Sequence, residues 1–295
     1  MSVMWLFSTK RDSGEEPKIS YQVSSVSGSL LSLRNPWVTD SVFMGKLYTA
    51  MMVATALFVY PWTFSPDNSF EGAYGLLTMY IITPLIFAPF LAYRIFYIKK
   101  LSNFHFNRLT KKIYYKRIGK LIIFDWNNVH GGLFKRVEFG GASFSSCYAL
   151  AFAPQRADGS LHQKDCLWID SNEPTEPDIK HAAQAWEYLR RFMEQGPEQL
   201  PALGEPRWLY RPLHEICLTP SQAWRHYAPW RTGEAGEMQG KKTWMLPFWA
   251  ILFPYNLSVA ISWYIICRLF NVKAAPPPAE AFEAPADNLL KKKHK

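Results

Sequence analysis

Residues 72–93, GAYGLLTMYIITPLIFAPFLAY, form a run of 22 residues without a single charge. A helix needs roughly 20 apolar residues to cross the hydrocarbon core of a bilayer. An amphipathic helix of a soluble protein carries a polar face, and this run carries none. The run therefore predicts a membrane-spanning helix and indicates an integral membrane protein.

Two other runs have the same character, namely the 20 uncharged residues 47–66 and the 25 uncharged residues 243–267. A short connection, SPDNSFEG, joins the first two runs, so we expect a transmembrane helical hairpin over residues 44–98. The third run contains Pro247 and Pro254, which remove backbone donors and can bend a helix. A single crossing is the favoured interpretation of this run. The alternative is a re-entrant hairpin that keeps the tail inside.

Basic residues follow the second run. Nine lysines and arginines occur between residues 94 and 120, and no acidic residue interrupts them before Asp125. The hairpin connection has no basic residue, so the positive-inside rule places it outside and the middle of the chain in the cytoplasm. Beside a membrane span, such basic residues also contact anionic lipid headgroups. The residues that we assign to this membrane interface are Arg94, Lys99, Lys100, Arg108, Lys111, Lys112, Lys116 and Arg117.

Residues 99–200 belong to a different type of sequence. From Phe104 onward, β-branched and aromatic residues alternate with charged ones, as in half-buried antiparallel strands. One strand is predicted on each side of NRLT, and a third is predicted after RIGK. Gly119, within RIGK, fits a hairpin turn between the second and third strands. Further strands are predicted over residues 133–139, 144–153 and 164–170, with turns at Gly131-Gly132 and Gly140-Gly141.

Residues 177–195, PDIKHAAQAWEYLRRFMEQ, repeat their apolar residues at helical spacing. Thr175 can cap this helix, Pro177 suits its first turn, and Gly196-Pro197 ends it. About six antiparallel strands followed by one helix is the order of a pleckstrin-homology-like barrel. The predicted fold class is an α+β integral membrane protein. It comprises an N-terminal transmembrane hairpin, a cytoplasmic antiparallel β domain closed by a C-terminal helix, and a third membrane segment.

The remaining segments complete the predicted organisation. The segment after the helix is rich in Trp and Arg, and it either lies along the lipid headgroups or packs on the β domain. The tail is rich in Pro and Ala, which is typical of disorder, and it ends in the basic LLKKKHK. The predicted boundaries are a cytoplasmic N-terminal segment 1–43, the hairpin 44–98, the β domain 99–200, the linker 201–242, the third membrane segment 243–270 and the disordered basic tail 271–295.

The sequence contains no recognisable catalytic motif. His214-Glu215 begins like HExxH, but Leu218 stands where the second histidine would be, so the zinc-binding pair is missing. The four cysteines form no CxxC pair, which leaves a zinc site or a disulfide framework unsupported. We therefore expect no enzyme activity, no metal, no cofactor and no nucleic-acid partner.

Two motifs resemble those of an uncharacterised family of bacterial inner-membrane proteins. The first, F-x-R-x-T-x-K-(I/V)-Y, matches at Phe106, Arg108, Thr110, Lys112, Ile113 and Tyr114. The second, W-E-(F/Y)-(I/L)-R-R-(F/Y)-M-E-x-G-P, matches from Trp186 to Pro197. The resemblance extends over roughly residues 30–270 and includes the N-terminal helix pair. Members are often encoded near type VI secretion effectors, which implies an immunity or accessory role, and no functional residue carries over.

The resemblance and the lack of catalytic motifs favour a binding function at the bacterial inner membrane. The leading hypothesis is a multi-pass immunity protein, with a cytoplasmic soluble domain, that neutralises a co-encoded type VI effector by direct binding. One alternative is an accessory or adaptor that docks effectors for secretion. Another is a membrane-anchored, lipid-sensing regulatory module, which would lose anionic lipid on Lys112→Glu or Lys116→Glu. The expected partners are an effector toxin or a secretion component, together with the lipid bilayer.

Overall fold

The computed structural model describes residues 3–63, 70–139, 144–172, 178–203, 208, 211–234, 236–237 and 246–282. Within these ranges the chain forms nine β-strands and six α-helices, which confirms the predicted α+β class. The chain divides into two compact units. Unit 1 consists of Met1–Pro36, Lys100–Pro206 and Ala275–Lys295, and unit 2 consists of Trp37–Lys99 and Arg207–Ala274.

The nine strands all belong to unit 1 and form two antiparallel sheets. In chain order they are β1 (Val3–Ser8), β2 (Val23–Val26), β3 (Leu30–Leu33), β4 (Phe104–Asn107), β5 (Lys112–Arg117), β6 (Lys120–Asp125), β7 (Val129–Phe139), β8 (Phe144–Pro154) and β9 (Leu167–Asp170). One sheet has the strand order β1-β7-β8-β9, and the other has the order β2-β3-β4-β5-β6. Since β3 pairs with β4, unit 1 is assembled from segments on both sides of the first two long helices.

The C-terminal helix of unit 1, α3 (Ile179–Gln195), lies against β7 and β8. Its Trp186 is fully buried and stacks on Trp126, with the ring centroids 5.4 Å apart. At Gly131 of β7, a Cβ atom would lie 2.6 Å from Cε3 of Trp186. The strand therefore needs a glycine where the helix places its largest side chain.

The position of Gly131 and Gly132 corrects one prediction. Both residues lie inside β7 and not in a turn before it, so this strand begins at Val129. Gly132 faces the backbone of β1, and a Cβ atom there would lie 2.6 Å from the carbonyl oxygen of Met4. These glycines allow neighbouring elements to approach the strand closely. In a sequence, glycines with this role cannot be distinguished from glycines in a turn. The predicted turn at Gly140-Gly141 lies outside the described residues.

The strands predicted from residue 104 onward correspond to β4 to β9, and the predicted helix corresponds to α3. The strand predicted over residues 164–170 is shorter than expected, because its first residues lie in a 3-10 helix, Gln163–Asp165. Asp178 caps α3 by accepting a hydrogen bond from the Lys180 amide at 2.9 Å. The cap and first-turn residues predicted from the sequence, Thr175 and Pro177, lie outside the described residues. The helix ends before Gly196, as predicted, and this residue has a φ of 92°.

Both ends of the chain contribute to unit 1. The predicted N-terminal segment 1–43 contains β1, β2 and β3, whose buried Leu31 and Leu33 are completely inaccessible to solvent. The predicted tail contributes a short 3-10 helix, Ala279–Phe282, whose Ala281 carbonyl accepts a hydrogen bond from the Asn107 side chain at 2.9 Å. We expected disorder from residue 271, but the structure places the tail as far as residue 282 in ordered contact with β4 and β5.

Unit 2 consists of helices. In chain order they are α1 (Pro36–Thr63), α2 (Phe70–Lys100), α4 (Arg211–His214), α5 (Pro220–Tyr227) and α6 (Leu246–Leu269). In the part of the chain that the structure describes, two helical segments, Tyr80–Lys100 and Phe248–Leu269, are long and apolar enough to cross a membrane. Large aliphatic side chains on them face outward, with Leu85 70% and Ile251 72% exposed. Such exposure costs free energy in water but not in lipid.

The third apolar run forms one continuous helix. Helix α6 passes through Pro254, and Pro247 lies in its first turn, where the missing amide proton has no helical acceptor to lose. The alternative of a broken re-entrant hairpin is therefore not the conformation that the structure shows. The first run lies in α1, which the structure describes up to Thr63.

Candidate functional site

The basic residues predicted to contact lipid are divided among several environments. Arg94 and Lys99 lie on α2 in unit 2. The Arg94 guanidinium carbon lies 5.6 Å from the centroid of the Tyr93 ring, a cation–π distance. The Lys99 ammonium is exposed and donates a hydrogen bond to the Phe270 carbonyl at 3.1 Å. Both side chains lie near the end of an apolar helix, where basic residues extend to the headgroup region.

Arg108 and Lys111 are used inside unit 1. They lie in the connection between β4 and β5, and both side chains reach the C-terminal end of α3. Arg108 donates a hydrogen bond to the Gln195 carbonyl at 3.2 Å, and Lys111 donates one to the Met193 carbonyl. The last carbonyls of a helix have no helical donor and carry partial negative charge. Two cations at this end therefore satisfy and stabilise α3.

The Arg108 and Lys111 side chains are crowded at the C-terminal end of α3. Burial lowers the pKa of Lys111, a shift that nearby Glu194 opposes and nearby Arg108 reinforces. A Cβ atom at Gly196 would collide with the Arg108 guanidinium, so the helix ends in the one residue that leaves the arginine room. Because both cations are engaged with backbone carbonyls, they are poor candidates for binding a lipid phosphate.

Lys112 has an acidic neighbour. It is exposed at the start of β5 and lies directly opposite Asp125 on β6. Opposite charges at facing positions of an antiparallel pair attract each other. The charge of Lys112 is therefore partly offset by Asp125.

The other end of the β5–β6 hairpin is basic. The Lys116 amide donates to the Ser102 hydroxyl at 2.8 Å, and the Ser102 amide donates to the Lys116 carbonyl at 3.0 Å. Arg117 forms a bridge with Leu101, and the Ile118 amide donates to the Lys100 carbonyl at 3.1 Å. The hairpin is thereby tied to the residues that directly follow the apolar segment of α2. We call Lys116, Arg117, Ile118, Gly119 and Lys120 the basic tip.

The second sequence motif supplies a buried ionic network. Glu187 of α3 is completely buried, and its carboxylate accepts hydrogen bonds from Arg190 at 2.6 and 2.9 Å and from Arg191 at 2.7 Å. The Ser13 amide, in the N-terminal segment, also points at this carboxylate at 3.4 Å. Burial alone would raise the pKa of Glu187, but the arginine hydrogen bonds outweigh burial and the pKa is lowered. The motif therefore builds the interior of unit 1.

From Arg207 onward, the Trp- and Arg-rich linker belongs to unit 2. The Lys46 ammonium of α1 donates to the carbonyls of Pro212 and Glu215, the latter at 3.1 Å. The Trp263 indole of α6 donates to the Ile216 carbonyl at 2.6 Å. The linker is therefore held by helices α1 and α6 of unit 2.

Aromatic side chains of the linker form a cluster around α5. Trp208 stacks on His226, with the ring centroids 4.2 Å apart, and the Trp208 indole donates to Glu234 at 3.3 Å. Trp224 packs against Phe253 of α6 with the ring centroids 4.9 Å apart. These contacts leave Trp224 45% exposed, so the segment still offers amphipathic rings of the kind that favour headgroups.

The part of the chain that the structure describes contains no group of three or more His, Cys, Asp or Glu side chains that could hold a metal ion. Sequence reasoning missed Glu187 and Ile118 as notable residues. A charged residue inside an apolar helical stripe was the available signal for Glu187. For Ile118 the signal was an isoleucine in a two-residue turn, a position that Asn, Asp or Gly ordinarily occupies.

Comparison with known proteins gives one match. A family model described as "Family of unknown function (DUF6708)" matches residues 80–282, which is more than half of the chain. The matched region includes β4 to β9, α3 and α6. No curated protein and no solved structure matches the chain.

Proposed function

The chain belongs to the DUF6708 family, whose function is unknown, and we propose that it is an inner-membrane immunity protein that neutralises a co-encoded type VI secretion effector by direct binding. The observation that carries the membrane part of this proposal is the pair of exposed, apolar helical segments, Tyr80–Lys100 and Phe248–Leu269. The immunity part is supported by the resemblance of the two sequence motifs to proteins encoded near such effectors.

The proposed topology follows from charge. Basic residues follow the apolar segment of α2 without an intervening acid, which favours a cytoplasmic position for unit 1. Helix α1 would then cross the inner membrane as the first arm of the hairpin, and α6 would cross once more. Unit 1 has two antiparallel sheets and a helix after its last strand, which is compatible with a pleckstrin-homology-like barrel, and this finer fold class is part of the proposal.

Helix α1 offers a surface that suits a helical partner. Phe43, Leu47 and Met51 are spaced four residues apart and are exposed by 49%, 40% and 44% respectively. Residues four apart lie on one face of a helix, so these side chains form an apolar stripe. An effector that attacks or crosses the inner membrane would present apolar helices at the same depth, where close packing drives association.

A protection assay tests the immunity function. The adjacent effector gene is expressed in a laboratory bacterium without type VI secretion, with the product directed to either face of the inner membrane. This protein or an empty vector is co-expressed, and growth and membrane potential are followed. Rescue supports immunity. Toxicity without rescue overturns it for that pair and favours the adaptor function, which a deletion in the secreting strain then tests.

The discontinuous β domain decides which variants are informative. Truncation after residue 99 would leave β3 without its partner β4. It would therefore damage unit 1 and would not isolate the proposed transmembrane helical hairpin. A better variant is Leu47→Trp with Met51→Trp, which adds bulk to the exposed stripe of α1. Its matched control is Met4→Glu, at an exposed position of β1 in unit 1. Loss of rescue only in the first variant places the effector on the α1 stripe.

A lipid-sensing regulatory module is the second candidate function. The observation in its favour is the basic tip, which is exposed and is tied to the end of the apolar α2 segment. A regulatory module would change its effect on a partner with the anionic lipid content of the membrane. An immunity protein would protect at any lipid composition, so the same protection assay in strains of low and normal anionic lipid separates the two.

A further inference from the structure

The turn of the basic tip has an unusual residue at its apex. Ile118 and Gly119 have φ values of 48° and 83°, and Arg117 pairs with Lys120 across them. Positive φ at both central residues defines a type I′ turn, which strongly prefers Asn-Gly or Asp-Gly. A β-branched residue at positive φ is strained, because its side chain crowds the backbone. The backbone therefore gives no reason for isoleucine at this position.

Burial gives no reason either. The Ile118 side chain is 47% exposed and belongs to no part of the buried core. An isoleucine that is both strained and exposed stabilises neither the turn nor the core. Strained backbone that persists in a protein is a reason to look for a function at that position.

The charges around the apex are all of one sign. Arg117 and Lys120 flank it and are exposed, and Lys116 lies one position further along β5. No acidic residue occurs in the sequence between Arg94 and Asp125. An apolar side chain surrounded by basic ones matches the interface of an anionic bilayer, where the apolar group enters and the cations meet phosphates.

The backbone contacts bring this turn to the end of a membrane-crossing segment. The Ile118 amide is hydrogen-bonded to the carbonyl of Lys100, which is the last residue of α2. The apolar segment of that helix is Tyr80–Lys100, so its C-terminal end lies at the boundary between lipid and water when the helix crosses a bilayer. A turn bonded to that residue lies at the same boundary.

We propose that the basic tip docks on the anionic surface of the bilayer that α2 crosses, with Ile118 entering the headgroup region and Arg117 and Lys120 bound to lipid phosphates. This inference rests on the membrane placement of α2, and it does not depend on the identity of any effector.

Hydrogen exchange on the full chain tests the docking. The protein is placed in nanodiscs of phosphatidylcholine alone and in nanodiscs containing one quarter phosphatidylglycerol. Amide exchange is then measured for residues 116–121. We expect exchange at the tip to be slower by roughly tenfold in the anionic nanodiscs and to recover at high salt, because lipid phosphates attract each basic residue. The turn between β4 and β5, which contains exposed Leu109, serves as the internal control and should not change.

Variants separate docking from stability. Ile118→Asn relieves the positive-φ strain, so it should raise the melting temperature while it weakens the lipid-dependent protection of the tip. Arg117→Glu with Lys120→Glu should abolish that protection. The matched controls are Leu109→Asn, another exposed aliphatic residue in a turn, and Lys135→Glu, an exposed lysine on the other sheet. Both controls should retain the protection.

The outcomes are distinct. Equal tip exchange in both lipids, or protection that survives the charge reversal, overturns the docking inference. If the tip is unprotected while residues 80–100 are protected, then α2 crosses the bilayer and only the docking fails. If residues 80–100 exchange freely in nanodiscs, the membrane placement itself fails, and with it the first part of the proposed function.

Discussion

A hydrogen bond of 3.2 Å joins the Arg108 guanidinium to the Gln195 carbonyl, although 87 positions separate the two residues in the chain. The bond connects the two sequence motifs, because Arg108 belongs to the first and Gln195 to the second. It lies at the C-terminal end of α3, where unpaired carbonyls attract cations. The two motifs therefore describe one structural contact between a sheet and the helix that covers the core.

The first prediction concerns this contact. Arg108→Ala should lower the free energy of unfolding by about 1–2 kcal/mol, because α3 loses a charged donor at its end. Arg108→Lys should retain part of this stability. The measurement is the urea concentration at which half of the detergent-solubilised protein is unfolded. Unfolding is followed by hydrogen exchange of the backbone amides of α3 in the full chain. Arg156→Ala removes an exposed ion pair with Asp165 and should change the midpoint by less than half as much.

The second prediction concerns Gly196, whose φ of 92° and ψ of −178° suit glycine alone. Gly196→Ala should destabilise unit 1 by about 1–3 kcal/mol, through backbone strain and through the collision with Arg108. Combining it with Arg108→Ala removes the collision but not the strain. The double variant should therefore lose less stability than the sum of the single losses, and strict additivity would contradict a direct contact.

The third prediction concerns the buried carboxylate of Glu187. Glu187→Gln should destabilise unit 1 by about 3 kcal/mol, because Arg190 and Arg191 would keep their charges without the acceptor that holds them. Glu194→Gln is the control, since that glutamate also pairs with Arg190 but is 38% exposed. Its loss should stay below about 1 kcal/mol.

Acid should act on the same network. The pKa of Glu187 is lowered in the folded protein, so its contribution is complete above the ordinary carboxyl pKa of about 4.3 and is lost as the pH falls below that value. Wild-type unit 1 should lose stability below this pH, and the Glu187→Gln variant should lose less. Parallel acid profiles for the two proteins would show that the carboxylate is not stabilised by its arginines.

The fourth prediction concerns His105 on the central strand β4. Its side chain is 2% exposed, its Nδ1 lies 2.9 Å from the Ser32 hydroxyl, and burial lowers its pKa to about 4. The unfolded chain therefore binds a proton at a higher pH than the folded protein, and stability is lost as the pH falls from about 6.5 toward 4. The expected loss between pH 7.5 and pH 5 is about 2 kcal/mol.

Two histidine variants isolate this contribution. His105→Gln keeps a polar side chain on β4, but this side chain cannot be protonated. The urea midpoint of unit 1 should therefore become nearly independent of pH above pH 5. His162→Gln is the control, because His162 is exposed in a loop, and it should keep the wild-type pH profile. The Glu187 contribution is lost only below about pH 4.3, so the change between pH 7.5 and pH 5 reports His105.

Local patterns were sufficient to predict the strands after residue 104 and helix α3. In β5, Lys112 is outside and Ile113 inside, as alternation predicts, although Tyr114 and Tyr115 are buried as well. The stripe of α3 buries Trp186 and Leu189. These signals lie within one element and follow its period. The α+β class and the two apolar helical segments could be read from the sequence for the same reason.

Contacts between distant residues could not be predicted in this way. The pairing of β3 with β4 crosses the two long helices, and the N-terminal strands are short, so residues 1–43 gave no signal of belonging to the β domain. Likewise, Arg108 and Lys112 look alike in a run of basic residues. Only the folded chain shows that one caps α3 and the other faces Asp125. The basic tip can be distinguished from the other basic residues of this run only after these contacts of Arg108 and Lys112 are known.

The last prediction concerns the packing of the linker in unit 2. The Cys217 thiol, in the linker, lies close enough to the Cys267 thiol, near the end of α6, for the two groups to interact. Two neighbouring thiols can form a disulfide when an oxidant such as diamide accepts their two electrons. We expect diamide to link Cys217 to Cys267 in the native protein, and peptide mass spectrometry after digestion without reductant identifies the bond.

Cys166 provides the internal control for this experiment. It lies in unit 1 just before β9, and burial raises the pKa of its thiol to about 12, so it should stay reduced and unlinked. Cys217→Ser should abolish the cross-link without changing the reactivity of Cys166. Because the bond requires the linker to lie against α6, a failure to form it in the native protein would contradict the anchoring of the linker through Lys46 and Trp263. A cross-link that forms equally in urea would show only that both thiols are reactive, and it would contradict the specific packing as well.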